Sequence, residues 1–447
     1  MNRVTVIALV LILGQSNVFT EGAKIFFMIP LSSISEKQIY IPLIDTLAER
    51  GHEVVVASVT KSKYKSKNIR EFVPCTYEQF VGSIFSDPIE ARKQMGRYTS
   101  LSLTDHRFIT NACEIVYNNR EFQQILTEKF DLVIKNSFAG PCFNGAVYRL
   151  QAPFISFNTM IPVAEIFEQT GARLPASFVP FALGPSRSTG KMSLLARLEN
   201  VLLDIHWALY TKYSYYPAMT QIYRKYLGQD IPSYEQIQKN VSLIFSNSHF
   251  VINSPVPVLP DVIEVGGMQC VPPKPIPKDI DDFLSGAKDG FIFFSLGSMI
   301  NSEFFPEGKW LPQNDILAHP NIRLFMTHGG ALSTQEAIYN GVPMVVMPIC
   351  ADQDINARFA EEKGFAITLE IADLSEEILL TAINKILMDG SYTQTAREAG
   401  TYFRDQPMTP LERAVYWTET IKYFVENVAL FEIGASLLSC TIASRFF

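Results

Sequence analysis

Residues 24–58 read KIFFMIPLSSISEKQIYIPLIDTLAERGHEVVVAS. Lys24 to Ile29 is a short apolar strand and Pro30 to Glu36 a polar loop. A helix follows, ending in Ala48-Glu49-Arg50, and Gly51 stops it. Glu53 to Ser58 is the next strand, with Val54, Val55 and Val56 in a row. Strands this continuously apolar are buried on both faces, and strand–helix–strand is how a parallel sheet is connected. The expected fold class is therefore α/β. The pattern recurs outward, at Phe130 to Ile134 after a helical stretch around Arg120 to Lys129, and at Pro153 to Phe157. Residues 160–235 are aromatic-rich and helical in pattern.

Pro255, Pro257, Pro260, Pro272, Pro273, Pro275 and Pro277 then crowd one stretch. Proline at that density neither continues a helix nor sits in a central strand, so the stretch reads as a linker. Beyond it, Phe291 to Ser295, Leu324 to Met326 and Met344 to Met347 are three more buried strands, with a helix at Ala331 to Tyr339. Two doubly wound halves joined by a proline-rich linker are expected. The boundaries are a leader at 1–22, a first domain at 23–254, a linker at 255–283, a second domain at 284–426 and a hydrophobic tail at 427–447.

The 447 residues carry 38 Lys and Arg against 45 Asp and Glu, a net charge of −7. A nucleic-acid binder normally shows a basic excess, so that class is set aside. The one basic cluster, Lys61, Lys63, Lys65, Lys67 and Arg70, reads as a solvated loop. Met1-Asn2-Arg3, the uncharged run Val4 to Gly14 and the small and polar residues after it have the layout of a secretory leader, cleaved near Thr20 to Ala23. Cys75, Cys113, Cys142, Cys270, Cys350 and Cys440 are scattered without a C-x-x-C pair. No metal site is indicated, and buried free thiols are expected for most of them. Asn240-Val241-Ser242 is a glycosylation sequon, weak evidence taken alone.

In open α/β sheets the ligand lies beyond the carboxyl ends of the strands. Those ends read Ser295-Leu296-Gly297-Ser298, Thr327-His328-Gly329-Gly330 and Pro348 through Asp352-Gln353. Glycines before a helix let backbone N–H groups approach an anion, and the helix N-terminus favours a phosphate. Ser333 and Glu336 share one helix face next to that turn. A hydroxyl and a carboxylate so placed suit a nucleoside diphosphate and its ribose diol. Trp310 and Gln313 offer a flat ring and an amide for a planar base, and Asp352 and Gln353 suit sugar hydroxyls.

Trp310-Leu311-Pro312-Gln313, Thr327 to Gly330, Ser333 to Ala337, Gly341-Val342-Pro343 and Asp352-Gln353 with Asn356 together resemble the signature block of the UDP-glycosyltransferases, in their animal UDP-glucuronosyl and UDP-glucosyl branch. Phe294 to Ser298, Asn247 to Phe250 and Leu47 to Glu53 add to the likeness, which spans about residues 23–423. The resemblance implies a GT-B type architecture, two Rossmann-like domains facing a cleft, with inverting transfer of a hexose (glucose or glucuronic acid) from a UDP-sugar to a small lipophilic acceptor. It implies endoplasmic-reticulum membranes, or secretion if the tail does not anchor. It also implies no cofactor beyond the UDP-sugar co-substrate and no metal. By position, Trp310 would stack on uracil and Gln313 would contact base or ribose. Ser298, His328, Gly330 and Ser333 would hold the diphosphate, Glu336 the ribose, and Asp352 and Gln353 the transferred sugar.

The sequence departs from that pattern in three places. The family's catalytic histidine falls at Glu36 and its acidic partner at Asn136. Only 11 residues separate Ser298 from Trp310. That is too few for a crossover helix and a strand, so the second domain is expected to lack a helix–strand unit and to expose a sheet edge. In the tail, Ile433 to Ser444 offers 12 uncharged residues, short of the roughly 20 that a membrane span needs. The alternative reading is a catalytically inactive member that binds UDP-sugar, or that regulates full-length relatives by association.

Overall fold

The computed structural model describes residues 22–81, 87–99, 106–160, 168–171, 174–181, 192–254, 256–297 and 311–421. The leader up to residue 21 and the tail 427–447 lie outside them, as does Cys440. The first sheet has seven strands: β1 (Lys24–Met28), β2 (Glu53–Ala57), β3 (Ile69–Phe72), β4 (Leu132–Asn136), β5 (Phe154–Asn158), β6 (Leu243–Ser246) and β7 (Val262–Glu264). They lie in the order β3-β2-β1-β4-β5-β6-β7, and every neighbouring pair is parallel. The order reverses between β1 and β4, which opens a crevice at their carboxyl ends.

Side chains alternate across the sheet, so each strand feeds two cores. Ile25, Phe27, Val54, Val56, Leu132 and Ile134 meet helix α1 (Ile34–Glu49) through Ile39, Tyr40, Leu43 and Leu47. Phe26, Met28, Val55 and Val133 face the other way, toward Phe108, Ile109, Ala112 and Val116. Helix α2 (Pro88–Met95) lies between these segments in sequence. The latter four residues belong to α3 (His106–Asn118), where Cys113 forms a disulfide with Cys142. Cys75, Cys270 and Cys350 are free thiols.

Three expectations need correction. The basic cluster is not all loop: Lys61, Lys63, Lys65 and Lys67 are exposed outside regular structure, but Arg70 belongs to β3 and pairs with Glu128. Ile69-Arg70-Glu71-Phe72 lacked an apolar run because it is an edge strand. The proline-rich stretch is not linker throughout, because β7 closes the first sheet within it, again at an edge, where flanking prolines are tolerated. The chain also does not stay in its second half. Residues 410–421 are helical and return to the first domain, where Ala414 and Val415 pack among Ile25, Phe27 and Leu47.

In the aromatic-rich region, α4 (Leu194–Tyr210) runs through a π-helical turn at Thr211–Tyr215 into α5 (Tyr216–Leu227). Helix α4 is inverted relative to an ordinary surface helix. Asn200 is buried, bonding the carbonyls of Ala176 and Val179, whereas Leu194, Leu195, Leu198, Leu202, Ile205 and Leu209 are exposed. Among the described residues no helix is long and apolar enough to cross a membrane.

The second sheet has β8 (Phe291–Ser295), β9 (Ile322–Thr327), β10 (Met344–Val346) and β11 (Ala366–Thr368), parallel and in the order β11-β10-β9-β8. One face is covered by α6 (Ala331–Asn340), α7 (Gln353–Lys363) and, further along the chain, α9 (Gly390–Arg404), around Phe325, Met344 and Val346. The other meets α8 (Glu376–Met388) through Ala382 and Ile386, against Leu324 and Val345. Among the described residues, strand β8 is the edge of this sheet, as expected from the short Ser298–Trp310 interval. Phe293 stacks on Phe325, but Ile292 and Phe294, on the α8 side, are 40% and 44% exposed. Phe291-Ile292-Phe293-Phe294 has the composition of a strand covered on both faces, and among the described residues one of those faces is only partly covered. Phe294→Thr should therefore cost less than about 1 kcal/mol. Phe325→Ala, at a site with no exposure, should cost about 3–5 kcal/mol. Chemical denaturation of the two variants checks this, and Phe294→Thr should also aggregate less.

Candidate active site

A cleft of about 740 Å³ opens between the two sheets. Ser35, Gln38, Pro42 and Thr46 of α1 line one wall, and Ser295, Gly297, Gln313, Ser333 and Glu336 the other. The second wall is built from strand ends, where backbone and side chains leave the sheet together. At the end of β9, His328-Gly329-Gly330 turns into α6, whose N-cap residue Gly330 has no side-chain cap. The first N–H groups of α6 are thus left for a ligand.

His328 shapes this turn from inside. Its ring lies between Gly297 and Gly330, and a methyl group on either glycine would come within 2.5 Å of it. Only glycine permits that approach. Burial pushes the imidazole down to about 4, so His328 is neutral at physiological pH and contributes no cation to a phosphate. Asn356 Nδ2 donates to the Gly329 carbonyl at 3.0 Å and fixes the turn from the α7 side.

One turn along α6, Gln313 Nε2 donates to Ser333 Oγ at 3.1 Å and to Glu336 Oε2 at 2.6 Å. Burial pushes the Glu336 carboxyl up to about 7; the Gln313 hydrogen bond opposes the shift, and nearby Asp315 adds to it. A half-buried carboxylate beside a hydroxyl and an amide, facing an uncapped helix end, can receive a vicinal diol next to an anion. Ser298 and Trp310 lie outside the described residues.

At the next strand end, Asp352 and Gln353 are both buried. Gln353 Oε1 accepts from the N–H groups of Ile349 and Cys350 at 2.8 and 3.1 Å, which leaves its amide nitrogen for a ligand. Ala351, just before them, has φ +60°, a conformation that alanine adopts only under constraint. Immediately beyond, Asp354 bonds Arg92 of the first domain.

Glu36 and Asn136, 100 residues apart, meet at the β1/β4 crevice, with Asn136 Nδ2 3.4 Å from Glu36 Oε1. Thr159 Oγ1 donates to the same oxygen at 2.7 Å, and the Ser33 N–H donates to Oε2 at 2.7 Å. Glu36 thus closes a capping box with Ser33 at the start of α1. Three of a carboxylate's roughly four acceptor sites are filled. The Ser33-x-x-Glu36 spacing carried that signal in the sequence. Nothing local announced Thr159, nor the path beyond it. The Thr159 carbonyl accepts from Asn247, whose side-chain oxygen accepts from Gln335 of α6, and Gln269 donates to Gln335. This buried path ties the two walls together. Among the described residues no group of His, Cys, Asp and Glu could hold a metal ion.

A family model described as UDP-glucoronosyl and UDP-glucosyl transferase matches residues 32–307 and 308–424. The chain is 30% identical over 459 residues to UDP-glucosyltransferase 2 of Dactylopius coccus, covering 94% of this chain and 87% of that one. It is 30% identical over 436 residues to UDP-glucuronosyltransferase 2B14 of Oryctolagus cuniculus, covering 85% and 80%. Among solved structures, a UDP-glucose:anthocyanidin 3-O-glucosyltransferase in complex with UDP aligns with a TM-score of 0.56 at 13% identity, over 90% of this chain and 99% of that one. The glycosyltransferase VinC in complex with DTDP gives 0.56 at 14%, with the same coverage. These structural likenesses establish the GT-B fold.

Proposed function

Because the chain belongs to the UDP-glucuronosyl and UDP-glucosyl transferase family, we propose that its second domain holds a UDP-sugar, whose hexose passes with inversion to a small lipophilic acceptor at the first domain. The observation that carries this reading is the Gln313–Ser333–Glu336 cluster beside the uncapped start of α6. The helix N–H groups and Ser333 take the diphosphate, and Glu336 takes the ribose diol in place of its bond to Gln313. The freed Gln313 amide turns to the base or ribose, with Trp310 stacked on uracil. Asp352 and the Gln353 amide hold the hexose. Helix N–H groups carry the charge stabilisation, so no metal is invoked.

In this reading Glu36 takes the acceptor's proton through its one remaining acceptor site, which makes transfer slow. A second reading is favoured by the same carboxylate: with Ser33, Thr159 and Asn136 all donating to it, the chain would bind UDP-sugar without transferring, alone or paired with active relatives. Calorimetric titration of UDP and UDP-glucose, followed by UDP release with a phenolic acceptor, separates the two. Binding with turnover that disappears in Glu36→Gln supports transfer. Binding without turnover supports the second reading, and a cooperative melt without binding overturns both.

The location proposed is the lumenal side of the secretory pathway, at a membrane. The Cys113–Cys142 disulfide supports an oxidising compartment. The outward aliphatic face of α4, with Arg197 and Lys212 near its ends, supports interfacial contact with lipid. Replacing Leu198, Leu202 and Ile205 by Ser should reduce co-sedimentation with anionic vesicles roughly tenfold or more without lowering the melting temperature. Equal sedimentation of wild type and variant would remove α4 from the membrane contact.

A further inference from the structure

Asn240-Val241-Ser242 is the only Asn-x-Ser/Thr triplet in the sequence, and the transfer chemistry proposed above makes no use of it. The fold adds three observations to the motif. First, Asn240 is exposed at the end of the short helical turn Gln238–Asn240, and among the described residues its side-chain amide has no hydrogen-bond partner. Second, the triplet lies far from the cleft in the fold. Val241 leaves the turn extended, at φ −62° and ψ 131°, and the Ser242 N–H donates to the Phe154 carbonyl at 3.0 Å. Phe154 opens β5, so the triplet sits at the amino ends of β5 and β6. Glu36, Asn136 and Thr159 meet at the carboxyl ends of the same sheet, and among the described residues none between 66 and 268 lines the cleft. Third, Val241 and Val256 pack against Ile244 and Val262, which brings the segment entering β7 beside the triplet. In that segment Val258 and Leu259 are 41% and 38% exposed, and among the described residues β7 is the sheet's edge.

Resting on the lumenal location proposed above, we propose that Asn240 carries an N-linked glycan, which screens this pole of the first sheet beside β7. The glycan donor is an oligosaccharide carried on a polyprenyl pyrophosphate, supplied by the host's secretory pathway. The Asn240 Nδ2 bonds to the anomeric carbon, the bond from that carbon to the pyrophosphate breaks, and the amide gives up one proton as the lipid pyrophosphate leaves. Ser242 supplies the hydroxyl by which the triplet is recognised. Its place beside β5 in the finished fold is no obstacle, because the transfer takes place on the chain before it folds. The fold has to supply room afterwards, and an exposed, unbonded Asn240 supplies it. A glycan is bulky and solubilising. Standing over two exposed aliphatic side chains and a sheet edge, it opposes edge-to-edge association.

The full chain with its leader is produced in a eukaryotic secretory host as wild type, Asn240→Gln and Ser242→Thr. Alkylation of free thiols reads the Cys113–Cys142 disulfide and so reports entry into the lumen independently of any glycan. Wild type should migrate more slowly by one glycan and lose that shift on treatment with peptide N-glycosidase. Peptide mass should then show the amide of position 240 converted to the acid. Ser242→Thr should keep the glycan and Asn240→Gln should lose it, with affinity for UDP-glucose unchanged. Glycan-free protein should aggregate sooner on heating, and enzymatic removal from folded wild type provides it even where Asn240→Gln fails to fold. An oxidised disulfide without a glycan overturns the inference, as does a shift that survives Asn240→Gln. Equal aggregation with and without the glycan overturns the screening. Free thiols at Cys113 and Cys142 overturn the lumenal location, and the glycan falls with it.

Discussion

The double substitution Glu36→His, Asn136→Asp is expected to raise the rate of hexose transfer roughly a hundred- to ten-thousandfold, the usual worth of a positioned general base. The two positions already face each other across the β1/β4 crevice, 3.4 Å apart. A neutral imidazole in place of the Glu36 carboxylate would take the acceptor's proton as its oxygen attacks the anomeric carbon. The carboxylate introduced opposite it would hold the productive tautomer and stabilise the imidazolium. Neither replacement suffices alone. Glu36→His by itself leaves the imidazole facing the Asn136 amide, without a counter-charge, and Asn136→Asp by itself sets two carboxylates side by side. The cost is structural, since an imidazole cannot close the capping box with Ser33, and about 1 kcal/mol of stability should be lost. Initial rates of UDP release with a phenolic acceptor give the answer, with UDP affinity as the control for an intact donor site. A folded double variant that binds UDP but turns over no faster than wild type would show that the obstacle lies elsewhere in the first domain.

Glu336→Gln is expected to weaken UDP-glucose binding about thirty- to a hundredfold, the worth of a charge-assisted hydrogen bond to a largely buried group, and to abolish its pH dependence. The carboxyl is pushed up to about 7, so below neutrality the unliganded protein holds it largely protonated. Ribose hydroxyls donate to the ionised form. Affinity for UDP-glucose, whose diphosphate does not titrate in this range, should therefore rise from about pH 5.5 to about 7 and level off above it, and binding below neutrality should release a proton. Calorimetry in buffers of different ionisation enthalpy measures that proton directly. The stability effect has the opposite sign. With its folded value above the ordinary 4.5, Glu336 favours the fold below pH 4.5, and this advantage is lost as pH rises through 7. Above that range the ionised carboxylate costs roughly 3 kcal/mol, so Glu336→Gln should bind UDP-glucose worse yet melt higher there. A variant with wild-type affinity and an unchanged pH profile would remove Glu336 from the ribose site.

The proposed donor site, slow base and membrane contact lie at three separate parts of the molecule. Glu336 lines the second wall of the cleft, Glu36 sits at the β1/β4 crevice beside Asn136, and α4 lies on the outside of the first domain. Each can therefore be changed while the other two are read. The partly exposed face of β8 is a fourth element, and its Phe294 also lines the cleft. Its cause is the short Ser298–Trp310 interval, which leaves a strand of core composition at an edge.

The central strands of both sheets were legible because a parallel sheet demands continuous apolar runs, and Lys24 to Ile29, Glu53 to Ser58 and Phe291 to Ser295 are such runs. Strands β3 and β7 were not, because an edge strand tolerates Arg70 and Glu71 in one case and flanking prolines in the other. The second wall of the cleft was also legible, since the His328-Gly329-Gly330 turn, Ser333 and Glu336 lie within one strand–turn–helix unit whose spacing is local. The sequence alone further determined that no histidine occupies the Glu36 position. Tertiary structure decided what Glu36 does instead, because its state depends on Asn136 and Thr159, 100 and 123 residues away. It also decided that Arg92 spends its charge on Asp354 and Glu370, 262 and 278 residues distant. A spacing rule reaches along one helix or one turn. Hydrogen bonds and charges act through space, so the chemistry of a cleft between two sheets is settled only when the chain folds back across it.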